Sequence, residues 1–204
     1  MASGSSRRSF LLASAAVVGA GVLGVSRLAF ADYGQTIVGV PGKVKIRKYS
    51  DDGKDLGVVE MDKVVKTEDE WKRQLANAPG TIDAQGTTAF MVTRQDGTEI
   101  AGTGPNSENF AAGLYRCICC DNALYTNDTK FDSGTGWPSF YKPLAEENIV
   151  HNVAQQGGYK VSCALCDAHL GHVFDDRPDQ PTGLRYCMDG VALHFIPWPA
   201  AKPA

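Results

Sequence analysis

The chain has no surplus of positive charge: its 204 residues carry 20 Lys and Arg against 23 Asp and Glu, a net charge of −3 with histidine neutral. Without a basic face it offers phosphate backbones little, and nucleic acid is disfavoured as a partner. It also lacks an apolar run long enough to cross a bilayer. The uncharged N-terminal stretch from Phe10 to Val25 is shorter than the ~20 residues a spanning helix needs. There is no internal repeat, no low-complexity tract and no sign of a second domain. With only six cysteines and four histidines, each of these residues can be weighed individually.

Four of the cysteines fall into two Cys-x-x-Cys pairs, Cys117/Cys120 and Cys163/Cys166. Two such pairs far apart in sequence have the spacing of a tetrahedral four-cysteine zinc site, because each short turn aims two sulfurs at one ion. Two disulfides are the alternative, but a Cys-x-x-Cys closed on itself makes a tiny loop and stabilises little. Cys119 lies inside the first pair and could replace Cys120 as a ligand, although Cys117-x-x-Cys120 has the usual spacing. Cys187 stands alone and is left for chemistry. A zinc-ribbon binding module would account for the four paired cysteines only. A thiol-disulfide oxidoreductase would need a metal-free Cys-x-x-Cys in a βαβ setting, which is missing.

The N-terminus reads as a targeting segment. Arg7-Arg8 precede the uncharged run, and Ala29-Phe30-Ala31 is an Ala-x-Ala cleavage signature, so residues 1–31 are expected to be a twin-arginine-type signal peptide. That route carries folded proteins, which suits a domain that loads zinc before export, and it implies a periplasmic or extracytoplasmic location with membrane contact only during export. Removal takes Arg7, Arg8 and Arg27 and no acid, moving the net charge from −3 to near −6.

Residues 32–65 read as an N-terminal extension and 66–198 as the functional domain. Val44–Tyr49 and Gly57–Met61 are strand-like around the turn signal Asp51-Asp52-Gly53. Thr67-Glu68-Asp69-Glu70 is a capping box that opens a helix, with Trp71 and Leu75 on one face and Pro79-Gly80 as the stop. Short alternating runs follow, at Thr87–Arg94, Tyr159–Ser162, Leu184–Met188 and Val191–Ile196. The fold class is therefore mainly β, two packed antiparallel sheets with a small helical N-terminal leader and a four-cysteine zinc site. Asp189-Gly190 has the look of a two-residue hairpin turn, placing Cys187 opposite Ala192 and Arg185 opposite His194. Arg185, Cys187, Ala192 and His194 would then share one face, with Tyr186, Met188, Val191 and Leu193 on the apolar other, and the neighbouring charge and imidazole would favour a Cys187 thiolate.

Three segments in order, Lys130 to Phe140 with its Ser-Gly-Thr-Gly-Trp-Pro-Ser core, Cys163 to Asp176 with His-Leu-Gly-His, and Pro181 to Cys187, resemble the methionine-R-sulfoxide reductases from about Lys66 to Pro197. The resemblance implies two packed antiparallel sheets, a structural zinc remote from the active site, and reduction of the R epimer of methionine sulfoxide in proteins, peptides or the free amino acid, a protein-repair activity under oxidative stress. It implies Cys187 as nucleophile, attacking the sulfoxide sulfur and becoming a sulfenic acid. His169 and His172 would line the site, His172 as proton donor, and Asp176 and Arg185 would complete the polar shell. Trp137 would hold the substrate methyl, with Phe140 and His194 as further substrate-binding candidates. A thioredoxin-like or other thiol would be the reductant. His151 has no motif support and reads as a surface loop residue.

Two positions depart from the family pattern. Many relatives have a resolving cysteine where this chain has Thr135, so a one-cysteine cycle completed by outside thiols is expected. Cys119, pinned within the metal turn, reads as an inert packed residue. The usual Asn-Ser after Cys-x is here Asp189-Gly190, which places a carboxylate close to the nucleophile, where its charge would oppose the thiolate.

Overall fold

The computed structural model describes residues 37–155 and 158–199; the expected signal segment lies outside them. Among the described residues no helix is long and apolar enough to cross a membrane. The strands are β1 (Ile37–Val38), β2 (Lys43–Tyr49), β3 (Asp55–Asp62), β4 (Lys66–Thr67), β5 (Gly113–Cys117), β6 (Ala123–Thr126), β7 (Lys130–Phe131) and β8 (Ser139–Phe140). After these come β9 (Ile149–Gln155), β10 (Gly158–Cys163), β11 (His169–Phe174), β12 (Arg185–Met188) and β13 (Leu193–Pro197). The helices are α1 (Glu68–Ala76) and α2 (Ala89–Gln95).

The mainly β class holds. A six-stranded sheet in the order β7-β8-β12-β11-β10-β9 and a three-stranded sheet in the order β13-β5-β6 are both antiparallel. They meet through aromatic rings. Tyr125 of β6 stacks on Phe140 of β8 at 4.4 Å between centroids, and Tyr115 of β5 meets the same ring edge-on at 5.1 Å. Arrangements of this kind add about 0.5–1.5 kcal/mol per pair beyond the area they bury. Along β12 the side chains alternate as the sequence pattern requires: Tyr186 and Met188 point into this core, and Arg185 and Cys187 point away from it.

The capping box forms as expected. The Thr67 hydroxyl accepts from Glu70 N at 3.3 Å, the Glu70 carboxylate accepts from Thr67 N at 2.8 Å, and Trp71 and Leu75 are buried. β2 and β3 pair as the expected hairpin, tied to the rest of the domain by Asn148, whose amide accepts from Arg47 N and donates to Arg47 O, both at 2.8 Å.

Two local expectations fail. Thr87–Arg94 is not a strand: Thr88 caps a helix by accepting from Met91 N at 3.2 Å, Asp96 ends it in the left-handed region, and Ala89, Val92 and Thr93 are buried at helical spacing. Nor is Asp189-Gly190 a hairpin turn. Asp189 is followed by a 3₁₀ turn over Gly190–Ala192, and the chain leaves one sheet for the other: β12 pairs with β11 and β8, whereas β13 pairs with β5. Glu99 explains the difference, because its carboxylate accepts from Gly190 N at 2.5 Å and Val191 N at 2.9 Å, so those amides are not free for a ladder.

Candidate functional site

The crossing redefines who faces Cys187. Its cross-strand partners are His172 on β11 and Ser139 on β8, and directly paired residues of an antiparallel sheet lie on one face. Gly171 makes the approach possible, since a Cβ there would overlap the Cys187 carbonyl and lie 2.8 Å from Met188 Cα. Ala192 and His194, by contrast, are not beside Cys187; His194 pairs opposite Arg116 in the other sheet and is not a pocket residue. Phe140 is fully buried between Tyr115 and Tyr125 and is core rather than a substrate contact. His151 lies exposed on β9 rather than in a loop, within 3.2 Å of the Tyr186 hydroxyl.

Cys187 opens into a cavity of about 260 Å³ that it shares with Thr135, Trp137, His172, Arg185 and Asp189. That volume suits one side chain better than a drug-sized ligand. Trp137 is held there by its indole N–H, which donates to Glu99 O at 3.2 Å. A larger cavity of about 400 Å³ lies elsewhere, between the β2–β3 hairpin and the first cysteine pair; its cysteine, Cys120, belongs to the four-cysteine cluster, whereas the smaller cavity holds a cysteine outside that cluster.

Electrostatics around the thiol pull both ways. Burial pushes the Cys187 thiol up and prevails, with Asp189 adding to it, while Arg185 and the hydroxyls of Thr135 and Ser139 pull it down. The resting residue is thus a thiol, contrary to the thiolate expected from the hairpin. Arg185 is fixed by a fork of bonds to Asp176, Nε to Oδ1 at 3.0 Å and a terminal nitrogen to Oδ2 at 2.5 Å, and its guanidinium lies 4.5 Å from the Phe174 ring centre. Asp176, exposed, is therefore a support for Arg185 rather than a pocket residue. A chain of hydroxyls reaches the sulfur: Ser133 Oγ is 2.8 Å from both Ser139 Oγ and Thr135 Oγ1, and Thr135 Oγ1 is 4.0 Å from Cys187 Sγ.

His172 is held neutral, its pKa lowered by burial and then by Lys160. His169 is 2 % exposed, neither ring nitrogen has a hydrogen-bond partner, and burial brings its pKa down to about 4. Beside it, Asp189 Oδ2 is 3.8 Å from His169 Nε2, and Oδ1 accepts from Glu99 N at 2.9 Å. Burial raises Asp189 to about 8 and Glu99 to about 7. Asp189 is among the groups that raise the Cys187 thiol, as its position in the sequence suggests, and its own raised pKa limits the charge it brings at neutral pH. Glu99 stands in a glycine-interrupted loop with no periodic pattern to mark it in the sequence.

The remaining cysteines form a separate centre. The sulfurs of Cys117, Cys120, Cys163 and Cys166 lie within 4.8 Å of one another, with Cys117–Cys166 at 3.7 Å and Cys120–Cys163 at 3.5 Å. A tetrahedron with metal–sulfur bonds of ~2.3 Å has edges of about 3.8 Å, whereas a disulfide needs ~2.05 Å, so the set fits a tetrahedral metal and excludes bridging. The two turns are alike, each ended by a left-handed aspartate, Asp121 or Asp167, whose N–H donates at 2.9 Å to the carbonyl of Cys117 or Cys163. Arg94, which no sequence motif marks, donates to Cys166 O at 2.7 Å and reaches Cys166 Sγ at 3.4 Å while lying 3.9 Å over Trp71, a positive charge against a sulfur-rich site. Cys119 is 3 % exposed, and its carbonyl accepts from Gln74 at 2.7 Å.

A family model described as the SelR domain matches residues 86–197. The chain is similar to the peptide methionine sulfoxide reductase MsrB of Hahella chejuensis, 44% identical over 138 residues that make up 66% of this chain and 91% of the relative. The protein of the same name from Pseudomonas savastanoi pv. phaseolicola is 46% identical over 140 residues, 67% of this chain and 98% of the relative. The chloroplastic peptide methionine sulfoxide reductase B1 of Oryza sativa is 42% identical over 130 residues, 62% and 56% respectively.

Proposed function

The chain belongs to the SelR domain family and is a peptide methionine sulfoxide reductase, and from that premise we propose that it reduces the R epimer at the Cys187 pocket. The observation that supports this reading is the shared face of Cys187, His172 and Trp137 around a side-chain-sized cavity. Cys187 Sγ gives an electron pair to the sulfoxide sulfur and takes its oxygen. The cysteine is oxidised by two electrons to a sulfenic acid while the substrate sulfur is reduced to the thioether. Neutral His172, across the strand pair, is suited to receive the thiol proton as the sulfur attacks. Arg185 steadies the thiolate that results. Trp137 offers a ring face to the substrate methyl, which fixes the handedness of the sulfoxide it accepts.

Recycling uses outside thiols. A hydroxyl at Thr135 cannot attack the sulfenic acid, and Cys119 is packed within the metal turn. A first external thiol displaces water from the sulfenic acid to give a mixed disulfide, and a second regenerates Cys187 and leaves as a disulfide, a role open to a thioredoxin-like protein or a small dithiol.

The four-cysteine centre is read as structural zinc. Its chemistry when bound is cohesion of the two turns, and Arg94 together with Asn122, whose amide is 3.6 Å from Cys163 Sγ, shields the ligands. Arg7-Arg8 with the uncharged run and Ala29-Phe30-Ala31 support export by a twin-arginine route to an extracytoplasmic compartment. The deciding assay is turnover of purified protein on the separated epimers of methionine sulfoxide with a dithiol: reduction of R alone is expected, and equal rates would overturn the reading.

A further inference from the structure

The reductase reading leaves the oxygen needing a proton, and the groups around Cys187 do not serve equally. His172, the proton donor that the family resemblance implies, is neutral at rest and placed to take the thiol proton; Arg185 is held by Asp176 and is no acid; Thr135 and Ser139 are hydroxyls. Asp189 remains. It lines the same cavity as Cys187, follows it by two residues, and is 2 % exposed.

Three buried carboxylates lie in succession behind the pocket, and they differ in how many donors they receive. Asp83 accepts from Gln85 N, Thr87 N and the Thr103 hydroxyl at 2.9, 2.7 and 3.2 Å. Glu99 accepts two amides, those of Gly190 and Val191. Asp189 accepts one, from Glu99 N. Carboxylates packed together out of water cannot all be ionised, and the charge settles where amides already point at the oxygens. Asp83 meets that condition best and Asp189 least, with Glu99 between them and itself raised to about 7. The nearby groups that could neutralise Asp189 are otherwise engaged: His169 is itself kept uncharged by burial, Arg185 is paired with Asp176, and Lys160 with Asp96.

From this geometry we infer that Asp189 rests as a neutral carboxylic acid and delivers the proton taken by the sulfoxide oxygen, with His172 as the complementary base. Environments that push two titratable groups in opposite directions mark an acid and a base, and here the carboxyl is pushed up and the imidazole down. In the step, the Cys187 thiol proton goes to His172, Cys187 Sγ bonds to the substrate sulfur, and Asp189 protonates the oxygen. The hydroxyl then passes to Cys187 as the sulfur–sulfur bond breaks and the thioether leaves with its electron pair. The proton on His172 returns to Asp189, so formation of the sulfenic acid consumes no net proton.

The test is Asp189→Asn in the full-length protein, because the amide oxygen can still accept from Glu99 N. Two quantities are measured from pH 6 to 9: kcat for methionine-R-sulfoxide with excess dithiol, under conditions where reduction of the sulfoxide limits the rate, and the alkylation rate of Cys187 by iodoacetamide, which needs no acid. The wild type should lose kcat as pH rises through about 8. The variant should have kcat lowered by tenfold or more at pH 6–7 and lack that decline, with KM little changed, and its alkylation at pH 7 should match the wild type within about twofold. An unchanged kcat profile overturns the inference. So does alkylation that speeds up severalfold, since that would show Asp189 carrying a charge at rest. A wild type that leaves R-sulfoxide untouched sinks the reductase reading itself.

Discussion

At the scale of single residues, Cys187 carries the strongest prediction. Cys187→Ser should abolish turnover on R-sulfoxide while leaving the melting temperature unchanged within a degree or two, because the change is nearly isosteric and the oxygen is a poor nucleophile at neutral pH. Thr135 makes a complementary one. Its hydroxyl is 4.0 Å from Cys187 Sγ, so Thr135→Cys should convert the cycle: one turnover without reductant would give a disulfide between Cys187 and the introduced cysteine in place of a sulfenic acid, read by mass spectrometry. A trapped sulfenic acid in that variant would argue against this proximity. These residues were legible in the sequence because each sits in a dense motif. Glu99, Arg94 and the neutrality of Asp189 were not, since their roles depend on burial and on partners between 72 and 92 positions away.

At the scale of elements, local chemistry was read well and pairing was not. The Thr67 capping box could be named from four residues because all of its bonds lie within one turn. Thr67→Ala should cost about 1 kcal/mol in chemical denaturation. The β2–β3 hairpin was legible for the same reason. Asp189-Gly190 resembled a hairpin turn because flanking alternation and a turn dipeptide are local signals, while the bonds that decide otherwise come from Glu99. Alternation along β12 survived even so, which is why Arg185 and Cys187 were rightly placed on one face and wrongly given Ala192 and His194 as neighbours. The helix at Ala89–Gln95 was missed because its seven residues span barely two turns, too few for a period of 3.6 to stand out.

For the whole molecule, three buried groups tie stability to pH with opposite signs. Asp189 and Glu99 are raised to about 8 and about 7, so the folded state retains protons that the unfolded chain releases near pH 4; the stability tied to them is complete below that point and is lost as pH rises through about 8. His169 is depressed to about 4, so its contribution is present above ~6.5 and lost as pH falls toward 4. Two carboxyls outweigh one histidine between about pH 4 and 6.5, so thermal melts from pH 4 to 9 should show stability falling as pH rises toward about 8, and Asp189→Asn should lessen that fall. Cys117→Ser or Cys163→Ser should cost soluble expression or much of the thermal stability, since a structural zinc site supplies on the order of 10 kcal/mol of folding free energy in small zinc peptides.

The sheet crossing after β12 joins two centres that are otherwise apart. Cys187 is followed, with only a 3₁₀ turn between, by a strand that begins at Leu193 opposite Cys117, and Ile118 N donates to Ala192 O at 3.0 Å. The backbone that carries Cys187 is thus moored at its far end to the first Cys-x-x-Cys turn. Chelation should behave like slackening a guy rope: in a stepwise titration with a zinc chelator, reductase activity should fade before the far-ultraviolet circular dichroism signal changes, making turnover a gauge of metal occupancy.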